Sequence, residues 1–191
     1  MGSELQFEKD LITYLQHLGG QKQWEYLPQI KTTNQLWANF KHILEANNQN
    51  RLTEPLSVDE FAQIKAEISR LNTPYAAGQF LYGFNGISQV EVNLDNGEHT
   101  FLTVFDQAEV GAGNTTYQIV NQIKRPNVLP GKENRRFDTT LLINGLPIIQ
   151  IEEKATAHEA QEALNQMHQY ILEGQYSDIF FHRPNSGGHD S

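Results

Sequence analysis

Three side chains late in the chain could together carry out metal-assisted acid–base chemistry: Asp138, Glu152 and Lys154. Asp138 follows Arg136-Phe137, and Glu152-Glu153-Lys154 closes the apolar run Pro147-Ile148-Ile149-Gln150-Ile151. Side chains alternate along a strand, so Glu152 and Lys154 share a face. Asn144-Gly145 between two apolar runs is a strong hairpin signal, so these runs are expected as adjacent antiparallel strands. A strict two-residue turn pairs Ile143 with Leu146 and Asp138 with Ile151, which sends the two carboxylates to opposite faces. A three-residue connection through Leu146, or a bulge inside the hairpin, moves the register by one. Asp138 then lies opposite Glu152, with Cβ atoms about 5 Å apart. Carboxylates that close repel unless a cation lies between them. Mg²⁺, which takes oxygen ligands and keeps several waters, is the natural occupant, and Mn²⁺ can substitute. A metal beside a lysine suits phosphodiester hydrolysis: the ion polarises the phosphate and helps deprotonate a water, while Lys154 positions that water and stabilises charge. A Glu-x-Lys triplet alone arises by composition about once in a chain of this size. Its place at the end of a buried apolar strand is what favours a site over an exposed salt bridge.

The elements that must position these residues can be read from periodicity. Residues 4–18 repeat Leu5, Leu11, Ile12, Leu15 and Leu18 at helical spacing, and Gly19-Gly20 ends the helix. Residues 34–46 repeat the pattern with Leu36, Trp37, Phe40, Ile43 and Leu44. Ser57-x-x-Glu60 is a capping box that opens a third helix through Phe61, Ile64, Ile68 and Leu71. A fourth helix is expected near 75–82. The pattern then changes to alternation: SQVEVNL, a turn at Asp95-Asn96-Gly97, TFLTVF, a break at 111–114, and TTYQIVNQI. After the Asn144-Gly145 hairpin come an amphipathic helix over 157–173 and a short strand at 178–181. Helices, then strands, then a helix define an α+β (mixed α/β) domain. The expected division is a helical region at 1–85 packed on a core at 86–182, with 183–191 a disordered tail.

The chain has 191 residues, no cysteine and a formal net charge of −9. Disulfides, zinc–thiolate sites and cysteine nucleophiles are excluded. The start MGSELQFEKDLITYLQ carries acids where a signal peptide needs basic and then apolar residues, and no apolar run approaches the ~20 residues that span a bilayer. A soluble, cytoplasmic protein with no membrane partner is expected. So acidic a chain is not built mainly to coat nucleic acid. Its cations nonetheless cluster at Lys124, Arg125, Lys132, Arg135 and Arg136. That cluster is either a solvated loop or a set of phosphate contacts.

The segment RRFDTTLLINGLPIIQIEEKA resembles the nuclease motif of type I restriction enzyme R subunits, members of the PD-(D/E)xK nucleases. The NGLP hairpin, the Gln166-x-x-x-Tyr170 pair on the following helix, the early FEKDLITYL…GG…WEY and NN…RLT…EF stretches and TYQIVNQIKR extend the likeness over most of residues 7–180. The resemblance implies a restriction-endonuclease-like core: a central mixed sheet flanked by helices. It implies that Asp138, Glu152 and Lys154 form the metal and catalytic centre, with Asp138 and Glu152 as ligands. It also implies that Gln166 and Tyr170 are needed for cleavage; their i, i+4 spacing puts both on one helical face. DNA would be the substrate, cut without sequence preference. The methyltransferase and specificity subunits of a type I complex would be partners of the whole protein. The usual Pro-Asp of the motif is Phe137-Asp138 here, and the proline is not a ligand. Glu8 is expected on a solvated helix face; an additional metal-site acid, as occurs in this superfamily, is the alternative.

No G-x-x-x-x-G-K-[ST] occurs, so ATP would be used only by motor domains outside this sequence. His158-Glu159 has no histidine at 162, so there is no zincin motif. A catalytically inactive docking module with a nuclease fold and a stand-alone nuclease of another restriction class are the competing readings. A scaffold has no need of the intact Asp138, Glu152 and Lys154 set, and the NGLP hairpin argues against the other class.

Overall fold

The computed structural model describes residues 2–18, 23–110, 112–124 and 136–151, with residues 2–5, 74 and 136–138 placed by backbone alone. Helix α1 (Gly2–His17), strand β1 (Trp24–Tyr26), helices α2 (Thr33–Asn47), α3 (Val58–Ser69) and α4 (Pro74–Tyr82), and strands β2 (Ile87–Asn93), β3 (His99–Asp106), β4 (Tyr117–Lys124), β5 (Arg136–Ile143) and β6 (Leu146–Ile151) follow in chain order. The fold is mixed α+β, as the pattern of helices followed by alternating runs requires.

Capping side chains start α2, α3 and α4. The Ser57 hydroxyl accepts from Glu60 N at 3.2 Å and the Glu60 carboxylate accepts from Ser57 N at 2.7 Å, which is the expected capping box. Thr32 and Gln35 form an equivalent box on α2. Thr73 caps α4 ahead of Pro74, whose missing N–H costs nothing in the first turn.

The strands form two sheets. One is mixed and four-stranded in the order β1-β4-β5-β6, with β1 parallel to β4 and the remaining pairs antiparallel. The other is the β2–β3 hairpin, whose turn contains Gly97 at φ 87°. Strand β1 was not expected from sequence. Its three residues pair only with Tyr117, Gln118 and Ile119, far away in the chain.

The largest core cluster joins Leu11 and Leu15 of α1, Phe40 and Leu44 of α2, Ile64 of α3, Val92 and Leu102 of the hairpin, and Ile119, Leu141 and Ile148 of the mixed sheet. A smaller cluster of Leu27, Ile30, Val120, Ile123 and Leu142 forms separately. Leu141 and Leu142 go to different clusters, as alternation along β5 dictates.

Helix side chains occupy both outer edges of the β2–β3 hairpin. On β2, Gln63 exchanges hydrogen bonds with Asn93 N and O at 3.1 and 3.0 Å, and Glu60 accepts from Asp95 N at 2.8 Å. On β3, buried Asn48 accepts from Thr103 N at 2.8 Å and donates to Thr103 O at 2.9 Å. Unpaired strand edges invite aberrant pairing, and here the side chains of Asn48, which caps the C-terminus of α2, and of Glu60 and Gln63 on α3 take the place of a further strand.

Candidate functional site

The β5–β6 hairpin carries Asp138. Its turn residues Asn144 and Gly145 have φ of 48° and 80°, both left-handed, as a two-residue type I′ turn requires. The turn is fixed from several sides. Asn144 Oδ1 accepts from Thr116 N at 2.9 Å, and Asn144 Nδ2 donates to Val104 O at 3.0 Å. A Cβ on Gly145 would stand 2.8 Å from Phe40 Cα, so only glycine fits against α2.

Beyond the turn the register changes. Ile143 pairs with Leu146 and Leu142 with Pro147, but Leu141 pairs with Ile149, Thr140 with Gln150 and Thr139 with Ile151. Ile148 is therefore a bulge residue, and the hairpin combines a two-residue turn with a one-residue offset. On the other side of β5, Asn121 pairs with Thr139 and Ile123 with Phe137, and Gln122 and Asp138 lie between these two pairs. Lys124 and Arg136, two of the five clustered cations, are paired positions at the end of these strands, and Lys124 is exposed. Glu152, Lys154, Gln166, Tyr170, Arg125, Lys132 and Arg135 lie outside the described residues, as do the helix expected at 157–173, the strand at 178–181 and the tail at 183–191.

Glu8 departs from expectation. It is 3% exposed, not on a solvated face. The physical reason is in the spacing: Glu8 precedes Leu11, Ile12 and Leu15 by three, four and seven residues, so it belongs to the buried stripe of α1. Its Oε1 accepts from Asn121 Nδ2, and its Oε2 accepts from Gln122 Nε2 at 3.1 Å. Two successive strand residues cannot normally face the same group. Here they do because Gln122 has φ 55°, a left-handed conformation inside β4 that breaks the alternation. Ile123 consequently falls in with Val120 in the smaller cluster.

The network extends further. Tyr26 OH donates to Asn121 Oδ1 at 3.0 Å. Lys31 Nζ donates to Asn121 O at 2.8 Å and also to Asn121 Oδ1. Burial, the Glu8 charge next, raises the Tyr26 pKa against the opposing effect of the Asn121 bond. Burial lowers the Lys31 pKa, and the Glu8 charge works against that lowering. Thr139, fully buried and paired with Asn121, has a hydroxyl with no hydrogen-bond partner. Asn121, Gln122, Tyr26 and Lys31 were not singled out from sequence. The available signal was the polar pair Asn121-Gln122 set between the apolar residues Ile119-Val120 and Ile123. Among the described residues no group of three histidine or acidic side chains could hold a metal. None of the described helices is long and apolar enough to cross a membrane.

A mixed sheet with a bulged hairpin, a helix packed across it and a buried carboxylate beside the central strand define an α+β domain with a polar site at the β4–β5 seam. The family model described as type I restriction enzyme R protein N terminus matches residues 2–182, and the chain belongs to that family. Over 181 residues it is 26% identical to the type I restriction enzyme SauMSSORF170P endonuclease subunit of Staphylococcus aureus (strain MSSA476), covering 93% of this chain and 17% of that protein. It is 28% identical over 154 residues to the SsaAORF53P endonuclease subunit of Staphylococcus saprophyticus, covering 79% of this chain and 15% of that subunit. With the EcoprrI endonuclease subunit of Escherichia coli it shares 25% identity over 179 residues, 90% of this chain and 50% of that sequence. The chain thus spans about a sixth of the staphylococcal relatives.

Proposed function

We propose that this chain is the DNA-cleaving module of a type I restriction R subunit and hydrolyses phosphodiesters with a divalent metal at Asp138 and Glu152. The observation that carries the reading is the hairpin register. The offset already in force at Thr139↔Ile151, continued by one pair, would bring position 152 opposite Asp138. Opposed strand residues share a face, so the two carboxylates would be available to one ion. The donor chemistry fits: carboxylate oxygens suit Mg²⁺ or Mn²⁺, and buried Glu8, held one strand away from Asp138, is a third acid at the same seam. A cation bound there would supply Lewis-acid polarisation of a phosphate oxygen and acidify a water.

The protein's own groups do the remainder. Lys154 would share the face of Glu152, positioning the attacking water and balancing charge on the phosphate. Gln166 and Tyr170 would meet the site from their helix. Lys124 and Arg136, paired at the strand end, with Arg125, Lys132 and Arg135 between them in sequence, would hold the backbone phosphates. No stretch of the sequence reads as a recognition helix rich in Arg, Asn and Gln at groove-facing spacing, so cleavage would be independent of sequence, and target choice would fall to the specificity and methyltransferase subunits. ATP-driven motion would belong to parts of the subunit outside this sequence.

The test uses the whole R subunit in its complex, with linearisation of a plasmid carrying the recognition site measured beside ATP hydrolysis. Asp138→Ala, Glu152→Ala and Lys154→Ala should each abolish cutting and leave ATP hydrolysis in place. Cutting at the wild-type rate by any of the three would refute the reading. It would favour instead a docking role for this fold.

A further inference from the structure

The contacts of Asn121 leave one question of charge open. Glu8 is 3% exposed and forms no ion pair among the described residues, although an ammonium group, Lys31, bonds to the same asparagine. Burying a carboxylate without a cation is costly. A side chain as long as lysine, already reaching Asn121 and sensing the Glu8 charge, would relieve that cost by pairing with it directly. The asparagine stands between them. A lysine only donates and a carboxylate only accepts, so the amide has a single workable orientation: Oδ1 toward Lys31 and Tyr26, Nδ2 toward Glu8. The second donor to Glu8, Gln122 Nε2, is in place only because Gln122 adopts φ 55°. Strain of that kind persists where the surroundings over-determine it, and it clusters at functional sites.

We propose that Asn121 is a positioning residue, a spacer that keeps the Lys31 ammonium off the Glu8 carboxylate so that Glu8 remains free to help hold a divalent cation beside Asp138. The proposal rests on the metal-nuclease reading above and adds a division of labour to it. Gln122 and Asn121 aim the acid, Lys31 and Tyr26 lock Asn121, and the positive charge that Glu8 lacks is supplied by the ion. The unpartnered Thr139 hydroxyl, paired in register with Asn121, is a second buried polar group on this seam left open.

Mn²⁺ binding to the 191-residue chain, followed by electron paramagnetic resonance of the free ion, tests this without reference to cleavage, with thermal unfolding recorded for every variant. Asn121→Ala should let Lys31 close onto Glu8 and weaken Mn²⁺ binding at least fivefold. Lys31→Met should leave binding unchanged or tighten it. The double variant should return to within twofold of wild type, a recovery that simple structural damage at Asn121 would not give. Asn121→Ser runs the same cycle if Asn121→Ala lacks a cooperative unfolding transition. The proposal is overturned if Asn121→Ala binds as wild type, if the double variant is as weak as Asn121→Ala, or if Glu8→Gln leaves Mn²⁺ binding unchanged. In those cases the nuclease reading still stands. That reading falls separately, if Asp138→Asn retains both Mn²⁺ binding and wild-type cutting in the complex.

Discussion

Asn144→Ala should be among the most damaging single substitutions in the described part of the chain. Asn144 is 7% exposed and sits at φ 48°. The substitution removes two side-chain hydrogen bonds and leaves Thr116 N–H and Val104 C=O facing a methyl group. A buried group left unpaired costs about 1–3 kcal/mol. Holding an ordinary residue in the left-handed region adds about 1–2 kcal/mol. The backbone bond from Asn144 N to Thr116 O at 2.8 Å survives, so the turn is weakened but not erased. The sum over the two groups and the backbone is about 3–8 kcal/mol, a large share of the ~5–15 kcal/mol that holds a domain together. Asn144→Gly separates the two contributions. It loses the same two bonds but sits at ease in the turn, so it should cost less than alanine. The difference is the left-handed penalty of about 1–2 kcal/mol reduced by glycine's extra unfolded-state entropy of about 0.5–1 kcal/mol. Urea denaturation of the chain reads both as midpoint shifts at constant slope. A cost under about 1 kcal/mol for alanine, or a larger cost for glycine than for alanine, would refute the assignment of these bonds as the anchor of the turn.

Gln122→Val should destabilise about 1–2 kcal/mol more than Gln122→Gly, because both lose the bond to Glu8 but only a β-branched residue resists φ 55°; equal midpoints in urea would contradict the left-handed strand residue. The folded Lys31 pKa lies below 10.5, so the unfolded chain holds that proton to higher pH and stability should rise with pH between the folded value and 10.5, a rise absent from Lys31→Met. Tyr26 acts oppositely: its folded pKa lies above 10.0, so its contribution is lost as pH rises through 10.0 toward the folded value, and Tyr26→Phe should flatten that fall in denaturation midpoints. The isolated chain should bind duplex DNA weakly, with a slope of log K against log salt no steeper than about −4.5, since the cluster offers at most five phosphate contacts; filter binding with a steeper slope would point to cations elsewhere.

Much of this was legible from local rules. Ser57 and Glu60 announced α3 because a capping box is satisfied within four residues, and Asn144-Gly145 announced its hairpin because both residues tolerate positive φ. What escaped depended on distant partners. Trp24–Tyr26 is a strand only because β4 lies parallel beside it. The register of β5 against β6 had two solutions, and the bulge at Ile148, which the Asn144-Gly145 turn does not announce, selects between them. Glu8 was misjudged through residue type. Its spacing from Leu11, Ile12 and Leu15 placed it inside, but a carboxylate reads as solvated until Asn121 and Gln122 are known to meet it.

The partners of the buried acids differ between the two halves of the fold. In the β2–β3 half, Asn48 makes three hydrogen bonds with Leu44 and Thr103, and Gln63 and Glu60 meet Asn93 and Asp95 along the facing edge. Glu60, buried like Glu8, spends its carboxylate on the backbone N–H groups of Ser57 and Asp95, and the buried Ser88 hydroxyl of β2 has no partner among the described residues; these contacts frame α2, against which the Asn144-Gly145 turn packs. At the β4–β5 seam the arrangement is different. A buried acid has side-chain amides for partners, a lysine is held to one side of it, and a strand residue is left-handed. A fold selected for stability alone would pair Lys31 with Glu8 or replace both by apolar groups. Keeping them apart, next to the strand that carries Asp138, makes sense if the seam is completed by an ion.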